Sequence, residues 1–254
     1  MGINPKNYDF IILDGFGTLY NENLQPLPGS VDFLNLAFEK SMLFSNVGSM
    51  TGSQLAARLQ SEFKKLPSKI MTSMDLLQPY LELHNITTVF HFGGQAAEEA
   101  LVGFGIKIAE LIDEPDVLVF TSLPGQRWIK TSQSVLKLIN NKMIKHVILA
   151  NPDRLLPGEH VGINVGMMFD MLLKKWPKEY CPPSVVEIGK PSLSRRDLGI
   201  GNEARLLVIG DNQVTDGGLA KSLDADFVLI SGNELMAFRR SEVFPSLAGL
   251  IENE

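Results

Sequence analysis

Short, unbroken apolar runs, each ended abruptly by glycine or a polar residue, constrain this 254-residue chain more than any other feature. The clearest are Phe10–Leu13, Met42–Phe44, Val117–Phe120, Val147–Ala150, Leu206–Ile209 and Phe227–Ile230. A strand with one wet face alternates apolar and polar residues. These runs do not alternate, so they predict strands covered on both faces. Between them lie stretches of helical periodicity over 30–40, 51–64, 131–140 and 164–175. Ser30 precedes the apolar pattern Val31, Phe33, Leu34, Ala37 and Phe38, and is placed to cap the first of these helices. Strands alternating with helices predict an α/β fold around a parallel sheet. With 44% hydrophobic residues, the chain is long enough for one large domain or two smaller ones.

Several functional classes are excluded at this stage. No apolar run approaches the ~20 residues that span a bilayer. The start, MGINPKNYDF, lacks the basic, apolar and cleavage regions of a secretory signal. Gly2 does not read as a myristoylation site, because Lys6 stands where Ser or Thr is required. Cys181 is the single cysteine, which forbids an internal disulfide and suits a reducing, cytoplasmic setting. The net charge is −6 with scattered basic residues, so neither nucleic acid nor an anionic membrane is expected as a partner.

In open α/β sheets the ligand lies beyond the carboxyl ends of the strands. The residues at those positions are Asp14, Ser45-Asn46, Asn151-Pro152-Asp153, Gly189-Lys190 (after Val185–Ile188) and Gly210-Asp211. Carboxylates, a hydroxyl, amides and a lysine, drawn from distant parts of the chain, predict a site for a metal and an anion. Singly, each has a plainer reading. Asp14 and Ser45 suit caps or turns, Lys190 a solvated charge, and Asp153 after Pro152 a turn.

Four motifs occur in order at the strand ends. They are Asp14-Gly15-Phe16-Gly17-Thr18-Leu19, then Ser45-Asn46, then Gly189-Lys190-Pro191, then Gly210-Asp211-Asn212-Gln213-Val214-Thr215-Asp216. Together they resemble the signature motifs of the haloacid dehalogenase-like superfamily. Pro26-Leu27-Pro28-Gly29 before a helix, and Asn151-Pro152-Asp153 ahead of the third motif, resemble its NagD-like branch (subfamily IIA). The resemblance covers nearly the whole chain. Its first and fourth motifs are specific, whereas Ser-Asn or Gly-Lys-Pro alone is weak. It implies a Rossmann-like parallel core over 1–77 and 184–254, with a smaller C2-type α/β cap over 78–183.

The resemblance also implies a Mg²⁺-dependent phosphatase of small phosphorylated metabolites, pairing as a homodimer through the cap. Asp14 would attack phosphorus and form an aspartyl-phosphate. Mg²⁺ would be held by Asp14, Asp211 and the backbone carbonyl of Phe16, with Asp216 holding a metal-bound water or orienting the site. Ser45 and Lys190 would grip the phosphoryl oxygens. Gly15 and Gly17 would let the backbone fold around the phosphate, and Asn46, Asn151 and Asp153 would face the substrate. The histidines His84, His91, His146 and His160 show no metal-ligand spacing, and only His160 is kept as a candidate cap contact.

Two departures stand out. Most relatives carry a proton-transferring aspartate two residues after the nucleophile, where this chain has Phe16. Three readings follow: a slow or selective phosphatase, a phosphate- or ligand-binding homologue without turnover, and a dehalogenase-like hydrolase. Retention of Asp211 and Asp216 counts against the last. A longer helix is also expected after Ser192, where Arg195 and Arg196 read either as a solvated pair or as contacts to an anionic substrate.

Overall fold

The computed structural model describes residues 4–123, 125, 128–141, 143–156, 162–177, 183–230, 241–244 and 246–252. Met1, Gly2, His160 and Cys181 lie outside them. The chain begins with β1 (Phe10–Leu13), α1 (Ser30–Ala37), β2 (Ser41–Ser45), α2 (Gly52–Leu59), β3 (Lys69–Thr72) and α3 (Ser73–Leu83). Next come β4 (Thr88–Phe92), α4 (Gln95–Gly103), β5 (Lys107–Ile108), β6 (Val117–Phe120), α5 (Trp128–Asn140) and β7 (His146–Leu149). β8 (Leu155–Leu156), β9 (Gly162–Ile163), α6 (Val165–Leu173) and β10 (Ser184–Glu187) follow. The last stretch holds α7 (Arg195–Leu198), β11 (Leu206–Gly210), α8 (Asp216–Leu223), β12 (Asp226–Ile230), β13 (Ser241–Phe244) and α9 (Leu247–Glu252).

Two parallel sheets result. The first runs β13-β12-β11-β1-β2-β3 and the second β10-β7-β6-β4-β5; β8 and β9 form a separate antiparallel pair. The unbroken apolar runs now have their reason. Successive side chains of a strand point to opposite faces. In β1, Ile11 and Leu13 join one core cluster while Ile12 joins another. In β6, Leu118 and Phe120 face one cluster, Val117 and Val119 the other. Each sheet is therefore sandwiched between two apolar layers. Among the described residues no helix is long and apolar enough to cross a membrane.

The seams between the two units differ from the expected boundaries at 77/78 and 183/184. α3 starts directly after β3 and buries Met74, Leu77 and Leu81 with Val89, Val119 and Ile148 of the second sheet. β10, expected in the core segment, pairs with β7 instead, with Val185 opposite Val147. By packing and pairing, α3 and β10 both go with the second sheet.

Two local expectations are also corrected. Ser30 is not the cap of α1 but its first residue, buried, with no partner for its hydroxyl. Gly29 caps the helix at φ 80°, and a Cβ there would lie 2.1 Å from the backbone nitrogen of Ala248 in α9. The close approach of α9 thus demands glycine at the helix start. α2 ends at Leu59, short of Lys64, though Thr51 and Gln54 form the capping box that its start calls for.

The register positions the site. Leu13 of β1 lies opposite Ile209 of β11 on one side and Leu43 of β2 on the other. The three carboxyl ends are therefore level. From β1 the chain builds outward through β2 and β3 on one side, and later through β11, β12 and β13 on the other. This reversal of winding opens a crevice beyond the ends of β1 and β11.

Candidate active site

Asp14 follows β1 at that crevice, its backbone N–H donating to the carbonyl of Ile209 at 2.8 Å. Asp211 follows β11, and Asp216 opens α8 with only 1% of its surface exposed. Carboxylate oxygens of Asp14, Asp211 and Asp216 all lie within 4.8 Å of one another. Lys190, 3% exposed, reaches into this group. Its ammonium pairs with Asp14 Oδ1 and stands 2.7 Å from Asp216 Oδ1. Such a buried cation persists only because its partners are anionic.

The backbone around these groups is shaped to admit them. Gly17 has φ 85°, and a Cβ there would fall 2.1 Å from Asp211 Oδ2. Asn46 secures the lysine: its Oδ1 accepts from the Lys190 backbone N–H at 2.8 Å, and its Nδ2 donates to the Lys190 carbonyl at 3.0 Å. The same Nδ2 donates to Asp153 Oδ1 at 2.9 Å, tying the first sheet to the loop after β7. Asn151 Oδ1 accepts from the Asp153 N–H, and Gly166 lies so close to the Pro152 and Asp153 carbonyls that it acts in packing.

Charge is unevenly distributed. Burial and then the neighbouring charge of Asp14 push the Asp211 carboxyl upward. Burial also raises Asp216, although Lys190 pulls against it. Burial opposes the charge on Lys190, but Asp14, Asp216 and Asp153 outweigh it and hold its pKa above the ordinary range. Asp153 is pushed up to about 6, chiefly by burial, with Lys190 and Asn46 pulling it down.

A cavity of about 460 Å³ lies over the cluster. Asp14, Phe16, Ser45, Asn46, Asn151, Asp153, Lys190, Asp211 and Asp216 all line it, so nine of the residues singled out from sequence share one space. Gly15 does not line it. A Cβ at Gly15 would meet the hydroxyl of Tyr20 at 2.4 Å, so this glycine makes room for the tyrosine. Tyr20 itself was missed in the sequence. It lines the cavity, and its buried hydroxyl lies beside the Ser45 side chain. Burial and the charge of Asp14 raise its pKa. A tyrosine six positions after Asp14, paired with an unusually small residue beside that aspartate, was the available signal.

Other expected contacts lie elsewhere. Arg195 donates to the carbonyls of Leu223, Gly201, Asn202 and Ala204, pinning the end of α8 to the loop before β11. It is neither a solvated charge nor an anion contact, and Arg196 is exposed. α7 is four residues long, shorter than expected, and is closed by Gly199 at φ 71°. His91 is buried against Thr121 at 2.8 Å, in keeping with a structural role, while His84 and His146 are exposed.

Known proteins resemble the chain in part of its sequence and in its fold. Residues 11–107 match the sequence profile described as "Haloacid dehalogenase-like hydrolase". No curated protein matches the chain. Among solved structures, a p-nitrophenyl phosphatase from Archaeoglobus fulgidus superposes with TM-score 0.77 at 22% identity, over 97% of this chain and 99% of its own. NagD from E. coli K-12 superposes at 0.72 and 21% identity, over 95% and 97%. A glycerol phosphate phosphatase from Mycobacterium tuberculosis, solved with calcium, superposes at 0.74 and 19% identity, over 97% and 75%. The chain thus carries the haloacid dehalogenase-like sequence over residues 11–107 and the NagD-like fold throughout.

Proposed function

We infer that the chain is a Mg²⁺-dependent phosphatase of small phosphorylated metabolites, acting through an aspartyl-phosphate at Asp14, with the second unit as its cap. The observation that carries this reading is the convergence of Asp14, Asp211, Asp216 and Lys190 at one cavity lined from both sheets. The donor set suits Mg²⁺, which takes hard oxygen ligands and keeps several waters. Three crowded carboxylates face a single lysine among the described lining residues, and a divalent cation supplies the charge they lack. When bound, the metal draws charge from the phosphoryl oxygens and keeps the carboxylates ionised. The backbone carbonyl of Phe16 is proposed as a further ligand.

The chain's own residues do the rest. The Asp14 carboxylate attacks phosphorus, and the leaving oxygen departs on the far side. Lys190 and the Ser45 hydroxyl hold the phosphoryl oxygens as their charge develops. Lys190 now pairs with Asp14, so an arriving phosphate competes for the ammonium and frees the nucleophile. Water then attacks the aspartyl-phosphate from the vacated side.

Phe16 favours a second reading, in which phosphate is bound without turnover. Both are decided by phosphate release from a panel of phosphomonoesters and acetyl phosphate, with Mg²⁺ and with chelator, beside Asp14→Asn. Mg²⁺-dependent release that vanishes in the variant supports the phosphatase. Unchanged release in Asp14→Asn defeats the mechanism, and no release from a folded protein that binds Mg²⁺ or phosphate leaves the binding reading.

A further inference from the structure

If Asp14 is the nucleophile, some group other than residue 16 must pass a proton to the leaving oxygen. A phenylalanine side chain has none to give. The described cavity lining offers few candidates. Asp14, Asp211 and Asp216 are committed to attack and metal, and Lys190 to the phosphoryl oxygens. Glu22 is exposed at the rim, where bulk water competes with it. Tyr20 lies against Gly15 at the nucleophile's own side, and its raised pKa makes it a reluctant donor.

Asp153 remains. It belongs to the loop after β7, in the second sheet, and enters the cavity from the unit opposite Asp14. Among the described residues only its Oδ1 is hydrogen-bonded, by Asn46 Nδ2 at 2.9 Å, and Asn46 in turn is locked to the Lys190 backbone. The carboxyl is thus oriented by a rigid amide and retains its second oxygen for the substrate. Its neighbour Arg154 is turned away, with Nε 3.3 Å from Asp170 Oδ2 and Nη2 2.9 Å from Glu187 Oε1.

We propose that Asp153 is the general acid and base of this site, standing in for the carboxylate absent at position 16. This rests on the phosphatase reading above. In the first step the Asp153 carboxyl gives its proton to the bridging ester oxygen as the P–O bond breaks and the Asp14 O–P bond forms. The products are the free alcohol and the aspartyl-phosphate. In the second step the Asp153 carboxylate takes a proton from water as that water attacks phosphorus. The Asp14 O–P bond breaks, inorganic phosphate is released, and both side chains return to their starting forms. One group serves both steps because leaving alcohol and incoming water use the same side of phosphorus.

Charge around the group agrees with the role. Burial, opposed by Lys190, the Asn46 hydrogen bond and Arg154 and aided by Asp14, leaves the Asp153 carboxyl at about 6. A carboxyl poised there populates both its protonated and its ionised form around neutrality.

The test uses Asp153→Asn, whose amide oxygen preserves the hydrogen bond from Asn46 but carries no acidic proton. Phenol release is measured as kcat/KM, which reports the first step alone, on substituted phenyl phosphates that share a shape and differ in leaving-group acidity. The variant is expected to stay within a few-fold of the native rate on the most acidic phenol and to lose about 10²-fold or more on the least acidic. Retained turnover of the acidic ester shows at once that the variant is folded. Equal losses across the series would reduce Asp153 to a latch for Asn46, and no loss would remove it from the mechanism; either overturns the proposal. No turnover of any ester by the native protein, Mg²⁺ present, would overturn the phosphatase reading and this proposal with it.

Discussion

Gly17→Ala separates metal binding at the carboxylate cluster, as proposed, from the stability of the fold. Gly17 holds φ 85°, a conformation that costs a residue with a side chain about 1–2 kcal/mol. The new methyl would also lie 2.1 Å from Asp211 Oδ2, against about 3.4 Å for ordinary contact, so the carboxylate must retreat by more than 1 Å. Gly105 provides the matched control, with φ 80° and nothing within 4 Å of its Cβ position. Gly105→Ala should therefore carry the backbone cost alone. Displacing a ligand by this much is expected to weaken Mg²⁺ binding about 10–100-fold, the scale of disturbed ligand orientation. Each tenfold loss removes about 1.4 kcal/mol of the stabilisation that a fixed saturating Mg²⁺ concentration confers. Urea unfolding of native protein and both variants, with and without Mg²⁺, measures this directly. Without metal Gly17→Ala should lose at least as much stability as Gly105→Ala, and the gain on adding Mg²⁺ should be smaller in Gly17→Ala alone. Equal stabilisation of both by Mg²⁺ would refute the placement of Asp211 as a ligand held by Gly17.

Two further outcomes test other parts of the structure. Phe16→Asp should change turnover little while Asp153 is present but restore about 10²-fold or more to Asp153→Asn on esters with poor leaving groups; steady-state rates for Phe16→Asp with and without Asp153→Asn check it. His91 is lowered to about 4 by burial, so the unfolded chain takes up a proton that the folded protein resists. Its contribution is intact above about pH 6.5 and is lost as pH falls toward 4, at most about 3 kcal/mol. The Glu98 carboxylate, 3.8 Å from Nδ1, returns part of this by pairing with the imidazolium. Unfolding free energies of native protein and His91→Gln across that range should diverge at high pH and converge at low pH. Parallel profiles would exclude His91 as the titrating group.

What could be read from sequence depended on how far each residue's role reaches along the chain. The six apolar runs became strands because burial on both faces is a local demand, written in consecutive residues. Asp14, Ser45 and Asp211 could be found the same way, since a parallel register sets the ends of β1, β2 and β11 level. β4 and β5 gave weaker signals: Thr88 and His91 interrupt one, and the other has two residues. The seams between the units had no local mark at all. Ser184–Glu187 would suit either sheet until its partner, β7, is known. Lys190 meets Asp14 across 176 positions, and only the resemblance of motifs pointed to that pairing. Arg195 shows the converse. Its sequence neighbourhood advertises charge, yet carbonyls of α8 and a loop engage all three nitrogens of its guanidinium. Tyr20 is the most instructive omission, because its place depends on an absence. The missing side chain of Gly15 lets the phenol settle beside Asp14, and no pattern of hydrophobicity records a space that one residue vacates and another fills. A small residue next to a strand-end aspartate therefore calls for a search along the following turn for the side chain that occupies its room.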